Sequence, residues 1–250
     1  MMEFQGKVAI VTGATSGIGM ATTRKFVEQG GKVAAVGRKK EVLSKIAGPN
    51  VKTYSVDLLN EHETAAFVQS VRADLGGIDV LVNAAGIIAN GTIENTTLAD
   101  YDLMMNINVR SLFLLTQLAL PSIIERKGNI VNVSSVTGLR AFPNVLAYCV
   151  SKAAVDQLTR CASLELAPKG VRINAVNPGV VRTNLHRNSG MNEDSYAAFV
   201  ERSKTTHPIG RIGEAEEIAD LILFLASSKA GWITGVTYSI DGGRAQTCAR

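Results

Sequence analysis

The chain has 250 residues, 46% hydrophobic and 19% charged, which suits one large domain with a well-buried core. A net charge of +4 and a single short basic run, Arg38-Lys39-Lys40, argue against nucleic-acid binding. Cys149, Cys161 and Cys248 lack metal-ligand spacing, His62, His186 and His207 stand far apart, and no apolar run reaches the ~18 residues of a membrane span. Reduced thiols, no metal, no membrane partner and, with no signal-like N-terminus, a cytoplasmic location are therefore expected.

Taken in order, short apolar runs at 8–11, 33–36, 51–55, 80–82, 129–133, 172–176 and 236–239 read as strands. Between them, helical patterns fall near 18–29, 39–47, 61–75, 98–126, 146–167 and 214–226. Val- and Ile-rich strands alternating with helices predict an α/β fold, a doubly wound parallel sheet with helices on both faces and right-handed crossovers. No linker or repeat divides residues 1–250, so a single domain is expected. The polar, Gly-containing start of 184–210, with Tyr196 and Phe199 later, reads as a substrate lid with a short helix.

Directly after the first strand comes Thr12-Gly13-Ala14-Thr15-Ser16-Gly17-Ile18-Gly19, then a helix. That context favours a phosphate-binding turn: Gly13 for the turn, Gly17 for close approach to a pyrophosphate, Gly19 for packing of helix on sheet. Further on, Tyr148 and Lys152 lie four apart in a helical stretch, on one face. An ammonium beside a phenol should lower the tyrosine pKa and make it a general acid or base.

With Thr12–Gly19, Asp57, Asn83-Ala84-Ala85-Gly86, Asn108, Ser135, Tyr148, Lys152, Pro178-Gly179 and Asp241-Gly242-Gly243 in order, the chain resembles the short-chain dehydrogenase/reductase family over nearly its whole length. Ser135 stands 13 residues before Tyr148, and Ala84 replaces a second Asn common in the family. The resemblance implies a seven-stranded Rossmann sheet. It implies Tyr148 as acid/base, Lys152 as the group that lowers its pKa and bonds the nicotinamide ribose, and Ser135 as the substrate-oxygen donor. Asn108 rather than Asn106 would hold a water in a proton relay, and Ser134 would face away.

For the cofactor, it implies contacts from Gly13, Thr15, Ser16, Gly17, Ile18 and Gly19, and from Asp57 and Leu58 at the adenine. Asn83, Ala84 and Gly86 would lie along the adenosine ribose. Pro178, Gly179, Val181 and Thr183 would pass beneath the nicotinamide. Asp57 could instead cap the next helix. Asp241-Gly242-Gly243 is expected to support a subunit contact in a homotetramer or homodimer built on the helices at 98–126 and 146–167.

NAD-dependent sheets of this type end their second strand on an acid that grips the ribose 2′-OH. Here Gly37 takes that place, followed by Arg38, which can pair with a 2′-phosphate, so NADP(H) rather than NAD(H) is expected. The expected activity is hydride transfer between NADP(H) and a carbonyl/secondary alcohol pair, as in 3-oxoacyl thioester, tropinone-like ketone or hydroxysteroid enzymes. Leu139, Phe142, Val145, Leu185, Met191, Tyr196 and Phe199 would give an apolar substrate pocket for a lipophilic or medium-sized ketone. Arg140, His186 and Arg187 leave room for an acidic substituent. The alternative is an NADP(H)-binding sensor or scaffold without catalysis, disfavoured because all four catalytic residues are present.

Overall fold

The computed structural model describes residues 2–247, so Cys248 lies outside the described residues. In chain order run β1 (Val8–Thr12), α1 (Gly17–Glu28), β2 (Lys32–Gly37), α2 (Lys40–Ile46), β3 (Val51–Ser55), α3 (Glu61–Leu75) and β4 (Val80–Asn83). Next come α4 (Leu98–Met105), a wide π-type turn (Asn106–Arg110), α5 (Ser111–Glu125), β5 (Asn129–Val133), α6 (Val136–Leu139), α7 (Leu146–Leu166) and β6 (Arg172–Pro178). The last third holds β7 (Val181–Arg182), α8 (Leu185–Asn188), α9 (Glu193–Thr206), β8 (Gly213–Glu214), α10 (Ala215–Ala226) and β9 (Thr237–Ile240).

Seven strands form one parallel sheet in the order β3-β2-β1-β4-β5-β6-β9, as the alternation of strands and helices predicts. Side chains of one strand alternate between its faces, so β1 serves two cores. Ala9 and Val11 enter a cluster with Phe26 of α1 and Ile218 and Ile222 of α10. Val8 and Ile10 enter the opposite one, with Phe67 and Val71 of α3 and Leu115, Ala119 and Ile123 of α5. The order reverses between β1 and β4, and the crevice opens at the carboxyl ends of the strands there, where such sheets bind ligands.

Two departures from the sequence expectations concern the 98–125 stretch. The helix is continuous but widened at 106–110, and such bulges concentrate at functional sites. By length and composition Leu98–Glu125 is also long and apolar enough to cross a membrane, with a mean hydropathy of 1.4, contrary to the expectation that none would be. Part of that apolarity is spent inside the fold, where Leu115, Ala119 and Ile123 are fully buried against the sheet. The two-stranded β7–β8 pair and the short α6 were also not anticipated.

Candidate active site

A cleft of about 1090 Å³ runs across the carboxyl edge of the sheet, from Arg38 and Asp57 at one end to the 184–206 segment at the other. At its floor the Gly13 backbone turns with φ +64°, and a Cβ there would come 2.9 Å from the Ala84 carbonyl. Gly17, φ +50°, has equally little room: a Cβ would meet Thr183 Cγ2 at 2.8 Å. The glycine turn is thus closed on one side by the loop after β4 and on the other by the segment after β6. The Thr12 hydroxyl accepts from the amides of Ala84 and Ala85, both at 2.9 Å, and ties that loop down.

Ser16 precedes α1 without a side-chain cap, so the first amides of the helix have no capping acceptor of their own and Gly17, Ile18 and Gly19 line the cleft. Uncapped helix amides beside a glycine turn fit a pyrophosphate. Thr15, Arg38, Leu58, Ala84, Gly86, Pro178, Gly179, Val181 and Thr183, all singled out from the sequence, line the same cleft. Asp57 does as well, and it does not cap the next helix. Its Oδ1 accepts from Leu59 N–H (3.1 Å), while Asn60 caps α3.

Asn83 departs from expectation. Its Nδ2 donates to Asn132 Oδ1 (2.9 Å) and Thr116 Oγ1 (3.3 Å), and the side chain is buried between β4, β5 and α5 rather than facing the cleft. As the last residue of β4 it points opposite to Ala84, so its side-chain amide joins strands.

Tyr148 and Lys152 lie on the cleft face of α7, both buried, with Lys152 Nζ 5.7 Å from the ring centroid. Nζ donates to the Val133 carbonyl at 2.8 Å, which anchors it to the end of β5. Ser135, two residues beyond Val133, begins α6, and its Oγ accepts from Thr137 N–H at 3.2 Å. Ser134 is turned the other way and donates to the Lys152 carbonyl at 3.1 Å. The wide turn brings in Asn108, not the exposed Asn106: Asn108 Oδ1 accepts from Ile87 N–H (2.9 Å) and its Nδ2 donates to Ile87 O and Ser151 Oγ (both 3.0 Å). A Cβ on Gly86 would sit 3.2 Å from Asn108 Oδ1 and 3.6 Å from Lys152 Nζ, so the three positions are neighbours.

The electrostatics differ from the sequence expectation of a lowered tyrosine pKa. Burial pushes the Tyr148 phenol up to about 12, and the Ser135 hydrogen bond only partly offsets it. Burial pushes the Lys152 ammonium down to about 8, with the Asp156 carboxylate pulling the other way. The ammonium is held toward the Val133 carbonyl, and burial dominates the phenol. The result is a protonated phenol next to a lysine that titrates within reach of neutral pH.

Asp156, one turn beyond Lys152, is itself fully buried. It accepts from Asn177 Nδ2 at 2.9 and 3.1 Å, and Nδ2 also donates to the Ser135 carbonyl at 2.8 Å. Burial holds the Asp156 pKa above its ordinary value. Sequence reasoning missed this Asp156–Asn177 brace; the i+4 spacing from Lys152 was the available signal.

At the far end, Phe142, Val145, Leu185, Met191 and Phe199 line the cleft, whereas Leu139 is exposed and Tyr196 is buried behind it. Of the basic residues singled out, His186 lines the cleft and packs 4.5 Å from the Phe199 ring. The other two do not serve it. Arg140 bonds the carbonyls of Ala245 and Thr247, and Arg187 pairs with Glu193 and lies 3.8 Å over the Tyr196 ring. Arg202 and Arg244, not anticipated, line it instead.

An open parallel sheet with a glycine turn at its switch point and a buried Tyr–Lys pair beside it defines a dinucleotide-dependent oxidoreductase of the Rossmann class. The chain belongs to the short-chain dehydrogenase/reductase family. The family model described as enoyl-(acyl carrier protein) reductase matches residues 13–245. A 3-oxoacyl-(acyl-carrier-protein) reductase of Thermotoga maritima is 37% identical over 249 residues, spanning 97% of this chain and 99% of its own length. The L-xylulose reductase of Mus musculus is 36% identical over 242 residues, spanning 95% of this chain and 96% of its own. A crystal structure of a short-chain dehydrogenase/reductase of unknown function from Caenorhabditis elegans, with cofactor, superposes with a TM-score of 0.94 at 32% identity. It covers 99% of this chain and 98% of that one. Membership carries a nicotinamide cofactor and oxidoreductase chemistry at CH–OH groups.

Proposed function

We propose that the protein is an NADP(H)-dependent ketone reductase with Tyr148 as its proton donor. The observation that carries this reading is the convergence of Ser135, Tyr148 and Lys152 on one cleft with the glycine turn, with Asn108 packed behind Gly86 beside Lys152. When bound, the nicotinamide supplies the hydride. The Tyr148 hydroxyl gives its proton to the substrate oxygen, and a pKa near 12 keeps that proton in place at neutral pH until charge develops on the oxygen. The Ser135 hydroxyl donates to the same oxygen and stabilises that charge. Lys152, kept near Asn108, stands where a proton can be returned to the phenol.

For the phosphate preference, β2 ends at Gly37, where a Cβ would lie 2.8 Å from Thr15 Cγ2, so an acidic side chain fits only if the Thr15 side chain gives way. Arg38 and Lys39 line the cleft just beyond, as cations for a 2′-phosphate. The single domain carries its lid at 184–210, whose Leu185, Met191 and Phe199 offer an apolar wall to a medium-sized carbonyl compound. The free thiols Cys149 and Cys161 suit the reducing cytoplasm.

A homotetramer or homodimer is supported by the exposed Leu98, Leu103 and Phe113 on the 98–125 helix and Val150 and Leu164 on α7. Sedimentation that finds only monomer at assay concentration would count against that assembly. The decisive test of mechanism is Tyr148→Phe: turnover with NADPH should fall by about 10²–10⁴ while NADPH binding persists. A Phe variant with unchanged kcat would remove the reading. NADPH binding by the wild type without turnover of any carbonyl would favour the sensor instead.

A further inference from the structure

The substrate end of the cleft carries two cations that carbonyl reduction by Tyr148 does not use. On α9, Phe199, Arg202, Ser203 and Thr206 share one face by their three- and four-residue spacing, and Phe199 and Arg202 line the cleft. Arg244 enters from the C-terminal side. There Asp241 accepts from the amides of Gly243 (3.0 Å) and Ala245 (2.7 Å), and the closed turn presents Arg244 to the cleft. Its guanidinium lies 4.9 Å over the Phe142 ring and bonds the Thr206 hydroxyl, which fixes its direction.

Neither Arg202 nor Arg244 has an ion pair among the described residues. Asp241 is committed to backbone amides, and among the described residues Asp57, at the adenosine end, is the one carboxylate lining the cleft. Burial first and Arg202 second lower the pKa of Arg244, while Asp241 behind it pulls the other way, so the two guanidiniums repel each other at a cleft wall that carries no acid at this end. Like-charged forks of this kind are complementary to a planar anion. His186 adds no charge, because burial lowers its pKa.

The geometry points to a substrate that carries a carboxylate: Arg202 and Arg244 seat that group at the lid end of the cleft while the carbonyl lies at Tyr148. The apolar wall of Phe142, Met191 and Phe199 takes the carbon chain between the two. The substrate class is therefore an oxo acid and its hydroxy-acid partner. Oxo acid, NADPH and a proton give hydroxy acid and NADP⁺. Hydride goes to the carbonyl carbon, the phenol proton goes to its oxygen, and the carboxylate is unchanged. This rests on the carbonyl-reductase reading, and the test separates the two.

Initial rates with NADPH are compared for 4-oxopentanoate and methyl 4-oxopentanoate, a pair that differs at one end in charge and by a single methyl group. The acid should exceed the ester in kcat/KM by at least about tenfold, chiefly through KM. Arg202→Gln and Arg244→Gln should each bring that ratio toward one. Arg202 is exposed, so its substitution tests charge without a packing change. Lys204→Gln removes a cation from the same helix that pairs with Glu201 at the surface, and should keep the ratio. Calorimetric titration with butanoate and butanamide supplies a readout without turnover, and butanoate should bind in preference, in an Arg244-dependent manner. Equal rates for acid and ester, or a ratio unmoved by both arginine variants, would overturn the carboxylate site and leave carbonyl reduction standing. Arg244-dependent butanoate binding without turnover of either ketone or of any other carbonyl compound would keep the site and overturn the reductase reading.

Discussion

The two ends of the cleft are made of different material. At the adenosine end the walls are main chain: the turn at Gly13 and Gly17, the uncapped start of α1 and the Ala84-Ala85 loop held by Thr12. At the substrate end they are side chains from segments far apart in sequence, Phe142, His186, Phe199, Arg202 and Arg244 among them. A site of main chain depends on a few glycines at fixed spacing and tolerates little change. A site of side chains can be re-specified one residue at a time on the same scaffold.

Arg38 is a place where the adenosine end uses a side chain, and it carries the largest effect expected from the contrast between the two ends. Losing a charge-assisted contact costs about 1.5–3 kcal/mol, or about 10- to 100-fold. Arg38→Asp should lower the NADPH:NADH ratio of kcat/KM by at least that factor and reverse the preference, because it removes the cation and sets a negative charge against a 2′-phosphate. Wild-type turnover with NADH equal to that with NADPH would sink the proposal before any variant is made.

The main-chain character of the adenosine end predicts a difference in stability. A Cβ on Gly19 would collide with the carbonyls of Gly13 and Thr12, both backbone, so neither can step aside cheaply. Gly19→Ala should cost about 1–3 kcal/mol and lower Tm by roughly 2–12 °C. Met191→Ala, on the half-buried lid, should leave Tm nearly unchanged and act on KM. Similar Tm losses for the two variants would erase the distinction between the ends.

The same division explains what could be read from the chain. The seven strands, the glycine turn and the Tyr148–Lys152 helix were legible because each is encoded by residues close in sequence, as short apolar runs, a glycine cluster or i+4 spacing. Asn108 was singled out over Asn106, and it does pack beside Gly86 and Lys152, but the widened turn that aims it was not foreseen, since no local pattern marks a π-type turn. Arg202 and Arg244 were missed, and Arg140 and Arg187 chosen instead, because tertiary partners decide which arginine stays free. Arg187 is spent on Glu193 and Arg140 on the carbonyls of Ala245 and Thr247. Asn83 was misplaced for a similar reason: its partners, Thr116 and Asn132, lie on other elements.

His207 joins the two ends, and through it their independence can be tested. The ring is buried, Nε2 lies 3.1 Å from Val180 N–H and Nδ1 lies 2.6 Å from the Ser203 carbonyl. An amide can only donate and a carbonyl only accept, so the network assigns the proton to Nδ1 and leaves Nε2 as acceptor. The neutral ring thus clips the end of α9 to the segment that leads into β7. Protonation would turn Nε2 into a donor facing a donor, and a Cβ on Gly179 would come 2.7 Å from it, so the ring has little room to turn away. Burial lowers the His207 pKa and Arg244 opposes charging further, while the Ser203 carbonyl and Asp241 pull the other way. With the folded pKa below the unfolded ~6.5, the unfolded chain takes up the proton first as pH falls. The stabilisation is whole above pH ~6.5 and is lost as pH drops through the lower folded value. Urea midpoints should therefore decline from pH 7.5 to 5, and His207→Gln should flatten that part of the decline that His186, also lowered by burial, leaves in place. An identical pH slope in wild type and variant would show that the ring bears no pH-linked load, and that lid and cofactor floor are not coupled through it.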